Sequence, residues 1–269
     1  MKSDFDLIIH RLPECKEAKL YFVGDLHVES IGCNRAAWDD FCGKVLSDKS
    51  AYLLVLGDMM NNATKHSVSN CYDDTMRPRE AKKFLMNSLK PLTERILCLV
   101  PGNHEARNRD VDDDPLYDVA CKLDLEDIYR PNAAFLKLNI GGRDNGNGGE
   151  KPLQVYTACV LHGSGGGILS GATINRNERF SYILEGVDIL AVGHTHKGII
   201  SKPSRICLNA HNNSVTQKSM TVISCCSWLS YGGYALRKML LPHQAQDPDQ
   251  PQTVLLGGLR DKRFIKTVW

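Results

Sequence analysis

Five short clusters concentrate the residues able to bind cations or move protons. They are Gly24-Asp25-Leu26-His27, Gly57-Asp58, Gly102-Asn103-His104-Glu105, His162-Gly163 and Gly193-His194-Thr195-His196. Together they offer carboxylate, imidazole and amide groups, and no cysteine. That mixture suits Mn²⁺, Fe and Zn²⁺ and works against soft-metal sites. In the D-x-H and H-x-H pairs, side chains two apart on an extended segment would face the same way and reach one centre. The glycines let the backbone turn sharply and leave room beside an ion.

Each cluster follows a short apolar run. Residues 19–23, 52–56, 96–100, 154–161 and 187–192 are rich in Val, Ile, Leu or aromatics and too short for a buried helix, so they read as strands. Helical patterns at about 35–47 and 79–92 separate the first three. Such alternation predicts an α/β fold with strand C-termini along one edge, where these folds build their sites. Beyond His196, residues 221–225, 233–240, 253–256 and 263–268 read as further strands with little helix between them. They would form a second, mostly antiparallel sheet packed on the first. The expectation is a four-layer α/β/β/α sandwich of two mixed sheets flanked by helices. One domain over 1–269 is the simpler reading, with residues from about 205 to 269 supplying β-rich strands of the second sheet. The segments 141–150 (GGRDNGNGGE) and 244–252 (QAQDPDQPQ) read as surface loops, the first of them mobile.

A chain of 269 residues can bury a sizeable core without disulfides or metals to staple it. Its net charge of +2 gives no sign of a broad nucleic-acid face, although a local basic groove would not show in that sum. The ten cysteines lie scattered through apolar stretches with no C-x-x-C pair, as expected of reduced thiols acting as small hydrophobes. No run approaches 18 apolar residues, and the first residues lack the apolar core of a signal peptide. These features lead to the expectation of a cytoplasmic protein with no membrane partner. Oligomeric state is left open.

Five motifs in this order, each at a strand end, closely resemble the calcineurin-like metallophosphoesterase family, from about residue 21 to 197. The resemblance implies two divalent metal ions. Asp25, His27 and His196 would hold the first, Asp58 would bridge both, and Asn103, His162 and His194 would complete the second. His104 would be the non-ligand, catalytic histidine facing the scissile phosphate. Mn²⁺ is the first choice of ion, with Fe, Zn²⁺ or Ni²⁺ as alternatives. A bridging hydroxide would attack the phosphate in line, and His104 would stabilise the transition state or protonate the leaving oxygen.

One motif departs from the pattern. Serine/threonine phosphatases of the superfamily carry G-D-x-x-D-R-G, where this chain reads Gly57-Asp58-Met59-Met60-Asn61-Asn62-Ala63. Asn61 stands where an aspartate orients the catalytic histidine, and Asn62 where an arginine grips phosphate. Losing that bidentate partner leans the reading from dianionic monoesters toward diesters, which carry one charge. The expected substrate is therefore a nucleotide or nucleic acid. Phosphomonoesterase activity or a non-catalytic binding module are the alternatives. Asn62 and Arg107 are the candidate substrate contacts, Arg107 being equally readable as a surface residue of a helical first turn. Lys82, Lys83, Arg107 and Arg109 could form a basic stripe leading to the site. The loops 61–70 and 163–167 (GSGGG) could border a nucleotide groove, or be plain surface. Tyr231 and Tyr234 read as a half-buried turn or a stacking platform. Residues 112–114 read as a solvated acidic loop, and His10, His66, His211 and His243 as bystanders.

Overall fold

A computed structural model of the chain describes residues 3–64, 67, 71–107, 113–144 and 150–268. The apolar runs before the first three clusters are strands β2 (Glu17–Val23), β3 (Ala51–Val55) and β4 (Ile96–Leu99), preceded by β1 (Ile8–Leu12). Helices α1 (Arg35–Ser47) and α2 (Pro78–Leu89) make the connections between β2, β3 and β4, which pair in parallel. Asn34 caps α1 by accepting the Ala37 N–H, and Pro78 opens α2, both strong start signals. Next come α3 (Pro115–Lys122), whose first turn is capped by the Asp114 carboxylate, and the long hairpin β5 (Ala133–Asp144) and β6 (Glu150–Leu161). The chain continues through α4 (Ser170–Ser181), β7 (Ile189–Val192), β8 (Ile199–Ser201), β9 (Ser204–Asn209), β10 (Ser214–Ser219) and β11 (Thr221–Ser224). It closes with α5 (Gly233–Arg237), β12 (Thr253–Gly257) and β13 (Ile265–Val268).

Two mixed sheets result, in the orders β13-β12-β2-β3-β4 and β1-β5-β6-β7-β11-β8. Side-chain alternation explains the layering. Leu20, Phe22, Tyr52, Leu54 and Leu56 point at the second sheet and meet Leu136, Leu138, Tyr156, Ala158, Ile189 and Ala191. The intervening Val23, Leu53 and Val55 face the opposite way, onto Trp38, Phe41, Leu85, Leu89 and Val119 of the helices. On the far side, α4 lies against β8 and β11. This is the expected α/β/β/α sandwich, with both faces of β3 buried along its whole length.

The C-terminal strands differ from expectation. β11 enters the second sheet, parallel to β7, but β12 and β13 join the first sheet, where β12 pairs antiparallel with β2. β9 and β10 form a separate two-stranded ribbon. Nor is the second sheet mostly antiparallel, because β1–β5, β6–β7 and β7–β11 are parallel pairs. The strand expected at 233–240 is a short helix, α5, entered through two glycines with positive φ, Gly232 before it and Gly233 at its first position. The loop expected at 141–150 starts as strand, since the β5–β6 ladder runs on to the pair Asp144 and Glu150; residues 145–149 lie outside the described residues. The 244–252 loop is as expected, and it is tied down by two buried glutamines: Gln246 donates to the Phe22 carbonyl, and Gln252 donates to that of Ser224.

Because β2, β3 and β4 are parallel, their C-terminal ends share one edge, and β6 and β7 do the same in the second sheet. Leu54, at the centre of the inter-sheet layer, holds these edges in register. Its replacement by Ala is expected to lower stability by about 2–5 kcal/mol. A denaturation midpoint that falls at unchanged m-value is the outcome to look for.

Candidate metal centre

The residues after those strand ends do converge, though not by strand alternation. Asp25 (φ 52°), His27 (φ 46°), Asp58 (φ 50°), His194 (φ 69°) and His196 (φ 57°) all occupy the left-handed region, as does Asn62 (φ 42°). Non-glycine residues rarely do so, and six of the nine described here lie at this one place. Such strain persists only where surrounding structure enforces it. Here the enforcement is backbone pairing between two loops. The N–H groups of Asp25, His27 and Val28 donate to the carbonyls of Gly57, Asp58 and Met59. Close approach of a third loop demands glycine: a Cβ on Gly57 would lie 2.1 Å from the Gly102 nitrogen, and one on Gly102 would lie 2.0 Å from Asp58 Oδ1.

Two groups of donor atoms form. In the first, His196 Nε2 lies 3.2 Å from Asp25 Oδ1 and 3.4 Å from His27 Nε2. In the second, His162 Nε2 lies 3.2 Å from Asp58 Oδ2 and 3.1 Å from Asn103 Oδ1, which is 2.7 Å from His194 Nδ1. Asp58 Oδ2 also approaches the first group, 3.8 Å from His27 Nε2. Ligands about 2.0–2.2 Å from a common ion lie roughly 3 Å from one another, so these spacings fit two neighbouring cations with Asp58 between them. The donor set of nitrogen and oxygen suits first-row divalent ions.

Neighbouring groups fix which atom of each side chain is presented. Asp25 Oδ2 accepts the His194 N–H at 2.9 Å, while its buried Oδ1 accepts no hydrogen bond. Asp58 Oδ1 accepts the His104 N–H at 2.8 Å, leaving Oδ2 to the shared position. His162 Nδ1 donates to the Leu56 carbonyl at 2.7 Å, so Nε2 is the atom turned to the centre.

The charges tell the same story. Burial raises the carboxyl pKa of Asp25 and Asp58, but the surrounding histidines hold both below the usual carboxylate range. Conversely, burial lowers His162, yet Asp58 and Asp25 lift it to about 9. Burial and His104 lower His27 to about 3, which keeps its imidazole neutral and able to ligate. Two buried carboxylates thus demand positive charge at this point, and divalent cations would satisfy that demand.

His104 stands beside this centre, with Nε2 3.7 Å from Asp58 Oδ2 and its ring edge-on to His27. It could be counted with His27 and Asp58 as a third ligand group. Against that, its Nε2 lies 3.0 Å from the Arg107 guanidinium, a poor neighbour for a metal ligand. Arg107 is therefore placed at the centre. Asn62 is not turned toward a substrate: it is buried, and its Nδ2 donates to the His104 carbonyl at 2.9 Å. The side chain of Asn61 does not reach the histidine, donating instead to Asp74 at 2.6 Å. The Asn61 backbone carbonyl accepts the His104 Nδ1 proton, at 2.8 Å.

Sequence reasoning passed over several contributors. Glu105 is fully buried, and its carboxylate accepts the N–H groups of Asp58, Met60 and Gly102. Burial, then the nearby Asp58 charge, pushes it up to about 7. Glu29, also fully buried, accepts the N–H groups of Asn61 and Asn62. Lys197 donates to the carbonyls of Gly167, Ile168 and Leu169, pinning the glycine-rich loop that follows His162. His243, expected as a bystander, feels the charges of Lys197 and His196 after the larger effect of its own burial. The lone signal for Glu29 and Glu105 was an acidic residue two places from a ligand. Of the expected basic stripe, Lys82 is engaged by Asp118 and Asp113, and Arg109 lies outside the described residues, as do His66, Asp112 and most of the stretch from 65 to 70. Tyr231 is half-exposed and donates to the Leu240 carbonyl, as the turn reading expects.

The calcineurin-like phosphoesterase family model matches residues 18–198, well over half of the chain. The chain belongs to that family and is a metal-dependent phosphoric ester hydrolase. Among solved structures, it is similar to a conserved uncharacterized protein from Streptococcus pneumoniae TIGR4 described as a predicted phosphoesterase. Identity is 13% over 93% of this chain and 98% of that one, with a TM-score of 0.34. It is also similar to a metallophosphoesterase from Sphaerobacter thermophilus, at 14% identity over 93% of this chain and 88% of that one, with a TM-score of 0.38. No curated protein sequence matches significantly. Among the described residues no helix is long and apolar enough to cross a membrane, and the nine cysteines whose side chains are described are free thiols.

A cation that binds the folded chain stabilises it, by about 2.7 kcal/mol at a hundredfold excess over its dissociation constant. Mn²⁺ or Zn²⁺ is therefore expected to raise the melting temperature of metal-stripped protein, and Asp58→Asn to remove most of that rise. An undiminished rise in the variant would mean that Asp58 is not shared. Glu105→Gln leaves at least one of three buried N–H groups without its acceptor, and is expected to destabilise by about 1–3 kcal/mol in chemical denaturation.

Proposed function

We propose that the chain is a dinuclear phosphodiesterase acting on nucleotides or nucleic acid in the cytoplasm, with Mn²⁺ as the preferred ion. In this reading Asp25, His27 and His196 hold one ion, Asn103, His162 and His194 the other, and Asp58 both. The observation that carries it is the position of Asp58 Oδ2 between the two donor groups, with His104 and Arg107 standing over it. Two cations held there would supply a bound water of lowered pKa and positive charge for the phosphate. The protein's own contribution is orientation and charge. Arg107 would bring guanidinium charge to the phosphate, and His104, tethered at Nδ1, sets its Nε2 against that guanidinium at 3.0 Å, beside the centre.

Preference for diesters rests on what Asn62 does. Its amide is taken up by the His104 carbonyl, so it adds no donor for a second phosphate charge, whereas Arg107 supplies one guanidinium. One cation beside the metals matches the single charge of a diester. Further support for a substrate longer than one phosphate comes from α4. Arg176 and Arg179, with Ala172 and Asn175, line a groove of about 260 Å³, and Arg176 reaches back to the Gly166 carbonyl, four residues past His162. Such a groove suits a polyanion better than Lys82, which its carboxylate partners neutralise.

Hydrolysis of bis(p-nitrophenyl) phosphate and of p-nitrophenyl phosphate, with Mn²⁺ and after chelation, tests the reading. Diester turnover that needs metal and vanishes in Asp58→Ala is the expected result. Preference for the monoester would reverse the interpretation of Asn62. Turnover of neither ester by metal-loaded protein would leave a binding module.

A further inference from the structure

Glu29 and Glu105 are buried carboxylates that offer neither the metal centre nor a phosphate an atom, and Glu29 is the one tied to the peptide that meets His104. It lies two residues past His27, is fully buried, and its burial pushes its pKa up. Among the described residues no cationic side chain forms an ion pair with it; instead, its two oxygens accept the backbone N–H groups of Asn61 and Asn62, the second at 3.2 Å. Its own carbonyl accepts both the N–H and the hydroxyl of Thr75, at 2.7 and 2.9 Å. A charged group is costly to bury, and here the return is control over two consecutive peptides.

The second of them, between Asn61 and Asn62, carries the carbonyl that holds His104. The Asn61 carbonyl accepts from His104 Nδ1 at 2.8 Å and from Arg107 Nη1 at the same distance. Asn62, in the left-handed conformation, sends its side chain to the His104 carbonyl. Asp74 adds a second hold by accepting from Asn61 Nδ2 at 2.6 Å. The path is continuous: Glu29 fixes the Asn61 peptide, that peptide aims its carbonyl, and the carbonyl sets the ring of His104 and one arm of Arg107. A backbone carbonyl can only accept, so it selects the Nδ1–H form, in which Nε2 accepts from Arg107 at 3.0 Å and lies 3.7 Å from Asp58 Oδ2.

We propose that Glu29 is a positioning residue for the hydrolysis, acting through the Asn61 peptide to hold the orientation and tautomer of His104 and the placement of Arg107. Replacing one carboxylate oxygen by an amide would set two donors against each other. The peptide would then turn to relieve the clash and take the carbonyl away from His104. This inference rests on the role given to His104 in the proposed function, so its test reads the ring itself as well as turnover.

The experiment compares wild type, Glu29→Gln, His104→Ala and the double variant, all loaded with Mn²⁺ for kinetics on bis(p-nitrophenyl) phosphate and with Zn²⁺ for ¹⁵N NMR of the histidine rings. Glu29→Gln is expected to lower kcat by about tenfold or more, the lower edge of what a positioned acid–base group supplies being about 10²-fold, with KM and bound metal unchanged. In the His104→Ala background the same change is expected to cost nothing further, because the group being positioned is gone. The His104 ring signals, assigned by their loss in His104→Ala, are expected to move from one Nδ1–H form to a mixture. Losses that multiply in the double variant, or ring signals that stay put in folded Glu29→Gln, would overturn the inference. Should Glu29→Gln not fold, Asp74→Ala cuts the second hold on Asn61 at a half-buried position and is expected to show a smaller loss, again absent without His104. Full activity of His104→Ala would instead refute the role of His104, and the ring signals would still report whether Glu29 sets its tautomer.

Discussion

Everything at the edge of the two sheets is arranged around one carboxylate oxygen, Asp58 Oδ2. The side chain of Asp58 is buried, its backbone is strained into the left-handed region, and its other oxygen is taken by the His104 N–H. A carboxylate in that state is stable only with positive charge close by. The second sheet supplies it: His162, at the end of β6, lies 3.2 Å from Oδ2, while the neutral His27 from the loop after β2 brings a nitrogen to 3.8 Å. The sandwich therefore cannot be assembled with its sheets slipped along one another without separating Asp58 from His162. Packing of Leu20, Phe22 and Leu54 against β5–β7 and ionic pairing at the edge enforce the same alignment.

Around that centre, buried ions act on the backbone more than on one another. Glu105 and Glu29 accept five backbone N–H groups between them, and Lys197 donates to three consecutive carbonyls. Loops are ordinarily the mobile part of an α/β fold because their peptide groups have no regular partners. Here each of the loops after β3, β4 and β6 is given fixed partners from a neighbouring loop. Rigidity of this kind lets left-handed residues persist without helices or strands to hold them, and preorganised donor atoms are what a metal site needs.

Much of this was legible in the sequence, for reasons that can be stated. Clusters such as Gly57-Asp58 directly after an apolar run mark a strand end, and strand ends in parallel sheets share an edge, so the seven candidate ligands were bound to approach one another if the strands were right. α1 was legible, at about 35–47, from its helical pattern, and the structure adds the Asn34 cap. What failed was the reasoning about how paired side chains converge. Asp25 and His27 were expected to align as alternate residues of an extended strand, but both have positive φ. No pattern of residue types distinguishes a D-x-H on a strand from one in a strained loop, because the strain is imposed by the neighbouring loop. The C-terminal strands were misassigned for a related reason. β12 is a short apolar run with two sheets available to it, and its choice of β2 depends on long-range pairing that periodicity does not encode.

Asn61 shows how far residue identity can mislead when backbone is able to do the same work. Its side chain was expected to stand in for an aspartate as acceptor for the histidine, and instead that side chain binds Asp74, while the peptide carbonyl of the same residue meets His104. An acceptor that belongs to the backbone is invisible in a sequence, since every residue carries one. It becomes specific only when something holds the peptide in place, and that something leaves a trace: a buried acidic side chain whose hydrogen bonds, among the described residues, go to backbone N–H groups. Glu29 and Glu105 are both of this kind. In this chain the acidic residues two positions beyond His27 and Asn103 thus belong to the same structural unit as the candidate ligands, although neither offers the centre an atom. The chemistry of the site is carried by side chains, but its geometry is carried by peptides, and buried carboxylates connect the two.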